Sequence, residues 1–431
     1  MDRDPDDTRT GPAADPAAGG GPSTSTGARS ATSVHEADPE PRITLVDDPG
    51  RVGTALAGLD LPVVGVDVER ADADRYYRHA ALVQVGGPGA CILLDGMVLD
   101  DLGQLQAHLA TRLTVLHAAN NDVVPLAAKG VEPPQLVDTA VAASVLGLPV
   151  GLGALLDEVL GLHIGGDKES FQRADWAKRP IPAPMQAYAA GDVVHLPALW
   201  AVLADRLDAA GRTPWFEQEL TASLTNAVTD TRDWRRVRGV GRLGARQQIV
   251  ARMLWEAREE VARREDIAPN LLLHDEVIVA LAVEPPRTAA QLARRARRRR
   301  RMEPEHAEHF LTVVLSAAEQ DPPPPDPDRR RWTDRDSRAF DRLREARSKV
   351  ADSLGVDAGV LCASKTLKDA VRADPKDTDA LCDAAGLRPW QRELLGDVLW
   401  RAYRGRSTGS TTSDPASDPA SDGSSDEPSP S

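Results

Sequence analysis

The sequence predicts an α/β or α+β domain of about 170 residues with all-helical modules behind it. Three observations predict this. Short apolar runs broken by turns fill residues 42 to about 117. Helical periods dominate from 120 to 210, and past Gly211 only helical patterns recur. In order, "ITLV" reads as a strand that leads into the amphipathic helix "RVGTALAGL". The runs "VVGVDV", "AALVQVG" and "ACILLD" read as strands, then a helix falls near 101–110, and "LTVLHA" is a further strand. "VDTAVAASVLG" and "LGALLDEVLG" are helices that stop at glycine. "PAPMQAYAAGDVVHLPALWAVLADRLDAAG" starts after proline and runs long, with a kink or a break expected near Pro197.

After Gly211 the chain reads as a linker. "RQQIVARMLWEAREEVARRED" then has a strong helical period, and with "NLLLHDEVIVALAVEPPRTAAQL" it makes a compact helical module over 230–318. "DPPPPDPD", inside a connection at 319–331, is a stiff linker. A second helical module follows over 332–404. Each module opens with a tryptophan near a charged helix, too thin a likeness to define a repeat. Trp234, Trp255 and Trp332 are expected in cores rather than as stacking platforms for bases.

The chain has 431 residues and a net charge of −14. That balance argues against a polyanionic partner until its distribution is considered. Residues 1–40 hold eight acids against three arginines, and 405–431 five acids against one arginine. Both tails are rich in Pro, Gly, Ser and Asp and are expected to be disordered. Residues 231–310 reverse the sign, with 18 arginines against 12 acids. A basic module inside an acidic chain suits a polyanion. Cys91, Cys362 and Cys382 are too few and too scattered for a disulfide framework or a zinc site, which fits a reducing cytosol. The acidic N-terminus has no apolar core to act as a secretory signal, and no apolar run reaches the length of a membrane span, so a cytoplasmic protein is expected.

"PVVGVDVERAD", residues 62–72, raises a chemical question. Val63, Val64 and Val66 make a self-burying strand, yet Asp67 and Glu69 follow two positions apart. In a strand such residues share a face, so two like charges lie side by side at its end. Unpartnered, they cost several kcal/mol. "VLHAANNDVVPLA" places Asp122 in the first turn of a helix, where the helix dipole alone accounts for an acid. "QAYAAGDVVHL" puts Tyr188 and Asp192 on one helical face, an ordinary contact taken alone. Asp138, in "LVDTAVA", reads as a helix cap. Taken together, Asp67, Glu69, Asp122 and Asp192 make a different case. Hard cations such as Mg²⁺ or Mn²⁺ prefer oxygen ligands and relieve such repulsion. Four carboxylates around two cations about 4 Å apart are an arrangement for phosphoryl transfer, with Tyr188 placed to hold the attacking water.

Those segments resemble the three motifs of the DEDD exonuclease superfamily, in its tyrosine-bearing subclass: "VDVE", then "HAANNDVVPLA", then "YAAGD". The connecting "DKESFQRADWAKRPIPAPMQAYAAGDVVHL" is similar to a segment of the ribonuclease D family. The resemblance implies a ribonuclease-H-like α/β exonuclease domain with a mixed sheet over 41–212. It also implies one or two all-α domains of the helicase-and-RNase-D C-terminal (HRDC) type, at 230–318 and, more faintly, 332–404. Carried over by position, Asp67, Glu69 and Asp192 bind one metal, and Asp67 bridges to a second that Asp122 reaches through water. Tyr188 orients the nucleophile. His117 and Gln84 are supporting residues, or equally satisfied polar groups beside strands. In the segment holding Lys168, Asp175, Trp176 and Arg179, Lys168 or Arg179 is expected near substrate phosphate and Trp176 in packing. One departure is Arg70, where the family often has an aromatic residue. Arginine can also stack on a base or pair with phosphate.

The run "RTAAQLARRARRRRRMEPEH" holds eight arginines between 287 and 301, among them Arg294, Arg295 and Arg298. So dense a run cannot all be paired locally, and salt-sensitive phosphate contact is expected of it. The function implied is a monomeric 3′-to-5′ exoribonuclease with two divalent metal ions. It would act on RNA with a free 3′ end, including tRNA precursors, and not at a membrane. A DNA 3′-exonuclease in repair and a non-catalytic RNA-binding protein remain as alternatives.

Overall fold

The computed structural model describes residues 40–163, 171–172, 174–229, 232–296, 302–320 and 331–405. Lys168, Arg298, most of both acidic tails and the "DPPPPDPD" linker lie outside the described residues. The N-terminal part is built on β1 (Arg42–Val46), β2 (Val63–Arg70), β3 (Ala80–Gly87), β4 (Ala90–Asp95), β5 (Leu113–Leu116) and β6 (Leu136–Asp138). They form one mixed sheet in the order β1-β4-β3-β2-β5-β6. β2, β3 and β4 are antiparallel neighbours, while β1 joins β4, β5 joins β2 and β6 joins β5 in parallel.

Strand alternation divides the sheet between two cores. Val64, Val66 and Val68 of β2 face α1 (Pro49–Ala57) and α2 (Gly103–Leu109), burying with Leu56, Leu105 and Leu109. The opposite face, to which Asp67 and Glu69 belong, carries a second core that includes Leu82, Cys91 and Leu93. The short α3 (Val123–Ala127) follows β5, and α4 (Thr139–Leu146) and α5 (Leu152–Leu160) follow β6. Gly147 and Gly161 close the last two at φ 76° and 67°, the left-handed conformation the glycine stops implied. The long apolar stretch is α6 (Ala183–Val194) and α7 (Leu196–Ala209), broken at His195 with Pro197 just inside the second helix. By length and composition Ala183–Ala209 is apolar enough to cross a membrane, against the sequence expectation. Its apolar residues Ala189, Ala190, Val193, Leu196, Leu199 and Leu203 lie instead in the core against the sheet.

The stretch after Gly211 is not a linker. It is α8 (Thr213–Val228), sixteen residues of helix. Three threonines and an asparagine depress its propensity, and Phe216 is the residue it buries fully, so no amphipathic period advertises it.

The first helical module comprises α9 (Ala245–Glu265), α10 (Pro269–Leu272), α11 (Asp275–Val283), α12 (Ala289–Ala296) and α13 (Pro304–Glu319). The second comprises α14 (Asp334–Leu354), α15 (Ala358–Leu361), α16 (Ser364–Arg372), α17 (Thr378–Ala384) and α18 (Pro389–Tyr403). They share an internal device. Buried Arg258 of α9 donates to the Leu273 carbonyl at 2.9 Å, and buried Arg347 of α14 donates to the Cys362 carbonyl at 2.6 Å. Each acceptor directly follows a four-residue helix, so the two modules are built alike. Trp234 and Trp255 pack partly buried against the first core and Trp332 against the second, as expected.

Candidate active site

Placement of the acidic residues begins with a glycine. A Cβ on Gly65 would lie 2.3 Å from the Val193 carbonyl oxygen of α6. Only glycine lets that helix lie so close to β2. The contact brings Asp192, one residue before Val193, to the strand end that carries Asp67 and Glu69. Asp67, Glu69 and Asp192 each offer a carboxylate oxygen, and these atoms lie within 4.8 Å of one another. All three residues are half-buried. Asp122 stands outside that trio and is 3% exposed, at the start of α3.

Electrostatics tie the four together. Burial pushes the Glu69 carboxyl up to about 9, and the charges of Asp67 and Asp192 add to it, with Arg70 opposing. Burial raises Asp122 as well, followed by the charge of Asp67, and Arg70 again opposes. Asp67 is raised mainly by burial, against a hydrogen bond from the Val68 backbone. A site whose acids resist ionisation is short of positive charge. Hard oxygen donors at this spacing suit a divalent cation, so the donor set fits the metal chemistry expected from the sequence.

Tyr188 lies one turn before Asp192 and shares a hydrogen bond with it. Burial and then the charges of Asp192 and Glu69 drive its pKa far above the ordinary value, so the phenol keeps its proton. Its ring packs 5.6 Å from Phe171 and 6.3 Å from Trp176, centroid to centroid. Trp176 is 2% exposed and donates its indole N–H to the Phe171 carbonyl at 3.1 Å, the packing role expected. Nothing in the sequence around Phe171 marks it for this role.

Other expected residues stand as follows. Arg70 is exposed at the end of β2, after a register shift at Glu69/Arg70, and lies 3.6 Å from Asp72. His117 shares a 2.9 Å hydrogen bond with the Thr139 hydroxyl, and burial pulls its pKa down, which suits a satisfied polar group. Gln84 is fully buried directly opposite Asp67 in the β2–β3 register, and neither amide atom has a hydrogen-bond partner. Asp138 caps α4 as expected, accepting from the Ala140 and Val141 amides. It also accepts from the Ala118 and Ala119 amides at 3.0 and 2.8 Å, fixing the loop that leads to Asp122.

Two expectations are corrected. Arg179, expected near phosphate, is engaged within the protein instead. It forms a bidentate pair with Asp95, Nε and Nη2 at 2.5 and 2.6 Å, and donates to the carbonyls of Ala81, Trp176 and Lys178. These bonds occupy all five guanidinium N–H groups. Arg295 is held by Glu284, through its carboxylate at 2.5 Å and its backbone carbonyl, so part of the arginine run is paired locally. Arg294, on the same helix, is exposed.

Comparison with known proteins agrees with this architecture. Residues 53–208 match the 3′-5′ exonuclease family, and 247–316 and 336–403 each match the HRDC domain. A ribonuclease D from Jannaschia sp. is 33% identical over 246 residues, 54% of this chain and 62% of that protein. One from Pseudomonas paraeruginosa is 33% identical over 238 residues, with the same coverage of 54% and 62%. The chain thus spans about three-fifths of the length of the curated relatives it matches. A crystal structure of a protein from Bifidobacterium adolescentis matches at TM-score 0.66 and 25% identity, covering 85% of this chain and all of that one. The crystal structure of Escherichia coli RNase D shares the fold at TM-score 0.69 and 21% identity, over 84% of this chain and 99% of that one. Residues 53–208 thus resemble a 3′-5′ exonuclease domain and 247–316 and 336–403 HRDC domains, and the curated relatives matched are ribonucleases D.

Proposed function

We propose that the chain is a 3′-to-5′ exoribonuclease that removes one nucleotide at a time from RNA with a free 3′ end, tRNA precursors among them. The observation that carries this reading is the trio Asp67, Glu69 and Asp192, drawn from a strand and a helix into ligand distance of one another. The relatives named ribonuclease D support the choice of RNA.

In this reading Asp67, Glu69, Asp122 and Asp192 would together hold two divalent cations, Mg²⁺ or Mn²⁺. Bound there, the cations would supply a lowered pKa for a water and positive charge for the departing 3′ oxygen. Ionised carboxylates would be needed for this, so Glu69 and Asp122 would give up the protons that burial favours on them. Tyr188 stays a neutral phenol and positions the attacking water, while Phe171 and Trp176 hold its ring in place. Arg70 reaches the last nucleotide from the strand end. The catalytic unit covers 41–212. The helical units at 230–318 and 332–404, joined by 319–331, hold the body of the RNA, with Arg294 and Arg298 on phosphate. The enzyme works as a cytoplasmic monomer.

The test uses a 3′-tailed RNA with Mg²⁺ or Mn²⁺, with chelator, and with Asp192→Ala. Stepwise shortening from the 3′ end is expected, lost in both controls. Internal fragments, or activity that survives the substitution, would overturn the assignment.

A further inference from the structure

The loop between β2 and β3 begins one residue past Arg70, at the end of the strand that carries Asp67 and Glu69. It does not simply cross the exonuclease domain. One carboxylate of the first HRDC domain gathers it. Asp266, just past the end of α9, accepts from the Tyr76 and Tyr77 amides at 3.1 and 3.0 Å, both through Oδ1. Its Oδ2 lies 3.0 Å from Arg75 Nη1 and 3.0 Å from His79 Nε2. The next contact is backbone to backbone, from the Ala268 amide to the Asp74 carbonyl at 2.9 Å. The Tyr76 ring sits beside Arg232 and Arg263, whose guanidinium carbons lie 4.3 and 5.4 Å from its centroid. Arg263 also donates to the Tyr76 hydroxyl at 3.1 Å.

Asp266 takes φ 50° and ψ 47°, a left-handed conformation that a non-glycine residue adopts at some cost. That conformation ends α9 where the carboxylate meets the loop. On its other side the same loop reaches the second acidic segment: Arg78 donates from Nη1 to the Asn120 carbonyl at 3.3 Å, two residues before Asp122. One short loop therefore joins the strand of Asp67 and Glu69, the turn before Asp122, and the first HRDC domain.

From this we propose that Asp266 is a positioning residue for the exonuclease reaction, through which the first HRDC domain fixes the geometry of the carboxylate pocket. The domain then acts on turnover as well as on RNA capture. This rests on the exonuclease reading of the pocket. A tethered RNA grip predicts that damage to the HRDC domain raises KM on long RNA alone. A docked domain that braces the pocket predicts a loss of kcat even for an RNA too short to need a grip. A displacement of about an ångström at a reacting centre costs rate steeply.

The experiment compares the full chain with Asp266→Ala and Asp266→Asn. Asparagine keeps an acceptor for the Tyr76 and Tyr77 amides and loses the charge facing Arg75 and His79. Kinetics are measured on a short unstructured oligoribonucleotide and on a long 3′-tailed RNA. Hydrogen exchange is followed at amides 67–80 and along α9. For Asp266→Ala we expect kcat to fall by about tenfold or more on both RNAs, with KM on the long RNA changing far less. Exchange at 71–80 should speed up while α9 stays protected, which shows that the domain remains folded. Asp266→Asn should recover much of both the rate and the protection. Unchanged kcat with a raised KM on long RNA alone would overturn the proposal, as would unchanged exchange in the loop. A wild-type chain inactive on both RNAs would sink the exonuclease reading instead, and loop exchange would still report the docking.

Discussion

Raising the pH from about 6 to 8 should tighten Mn²⁺ binding to the Asp67, Glu69 and Asp192 pocket by about a hundredfold. The figure follows from Glu69, whose carboxyl burial and two neighbouring charges push up to about 9. Across that range the metal-free carboxyl keeps its proton, and a cation must displace it to use the oxygen. One proton released per ion makes affinity rise about tenfold per pH unit. Folding stability carries the sign check. The folded-state pKa lies above the unfolded value of about 4.5. The metal-free native chain therefore binds a proton that the unfolded chain has released, and its stability falls as pH climbs from about 4.5 towards 9. Saturating metal removes that penalty, so the metal-induced rise in Tm should be larger at pH 8 than at pH 6. Titration calorimetry in buffers of different ionisation enthalpy counts the protons directly. A count near zero at pH 7, with flat affinity, would mean that Glu69 is already ionised and that the pocket is not starved of positive charge as argued.

Three further outcomes test the surrounding construction. Gly65→Ala puts a methyl group against the Val193 carbonyl and should cost about 1–3 kcal/mol by overpacking. Because α6 must move with Tyr188 and Asp192 on it, kcat should drop by well over the share explained by unfolded protein, and near-normal turnover would refute the close-approach argument. Tyr188→Phe keeps the ring contacts with Phe171 and Trp176 and loses the hydroxyl. A fall in kcat of about a hundredfold with Mn²⁺ affinity preserved is expected, and parallel loss of both would make Tyr188 structural. Arg179→Met strands Asp95, whose side chain is 3% exposed, and should destabilise the exonuclease domain by about 3–5 kcal/mol with KM for RNA unchanged. Intact stability with a raised KM would return Arg179 to the substrate.

Much of the fold was legible because each sheet strand buries on a simple period. β1 to β5 could be read from apolar runs bounded by turns, and the helix stops at Gly147 and Gly161 from the residue type alone. β6 is not legible because Leu136–Asp138 is three residues long and merges with the helix that Asp138 caps. α8 is not legible for the opposite reason, having length without a pattern. Its stability comes from tertiary contacts: Trp215 stacks 4.7 Å from Trp390, and Glu219 pairs with Arg388 at 2.5 and 2.6 Å, both anchoring the second HRDC domain. No local window contains those partners.

The site divides along the same line. Asp67 and Glu69 stood out because a buried strand offers no local reason for two acids, and an unexplained cost is a signal. Gly65 gives the same kind of signal, a glycine where a strand wants a side chain, but "VVGVDV" reads as a strand without it. Asp138 and Asp266 gave none. Asp138 is fully accounted for as a helix cap, yet it also holds the turn before Asp122 through the Ala118 and Ala119 amides. Asp266 reads as an ordinary polar residue ending a helix, yet it gathers a loop nearly two hundred residues earlier. A residue with a sufficient local reason conceals any distant one. In this chain only Asp67 and Glu69 lack a local explanation, whereas Asp122 and Asp192, like the positioning acids Asp138 and Asp266, are explained too easily by the sequence around them.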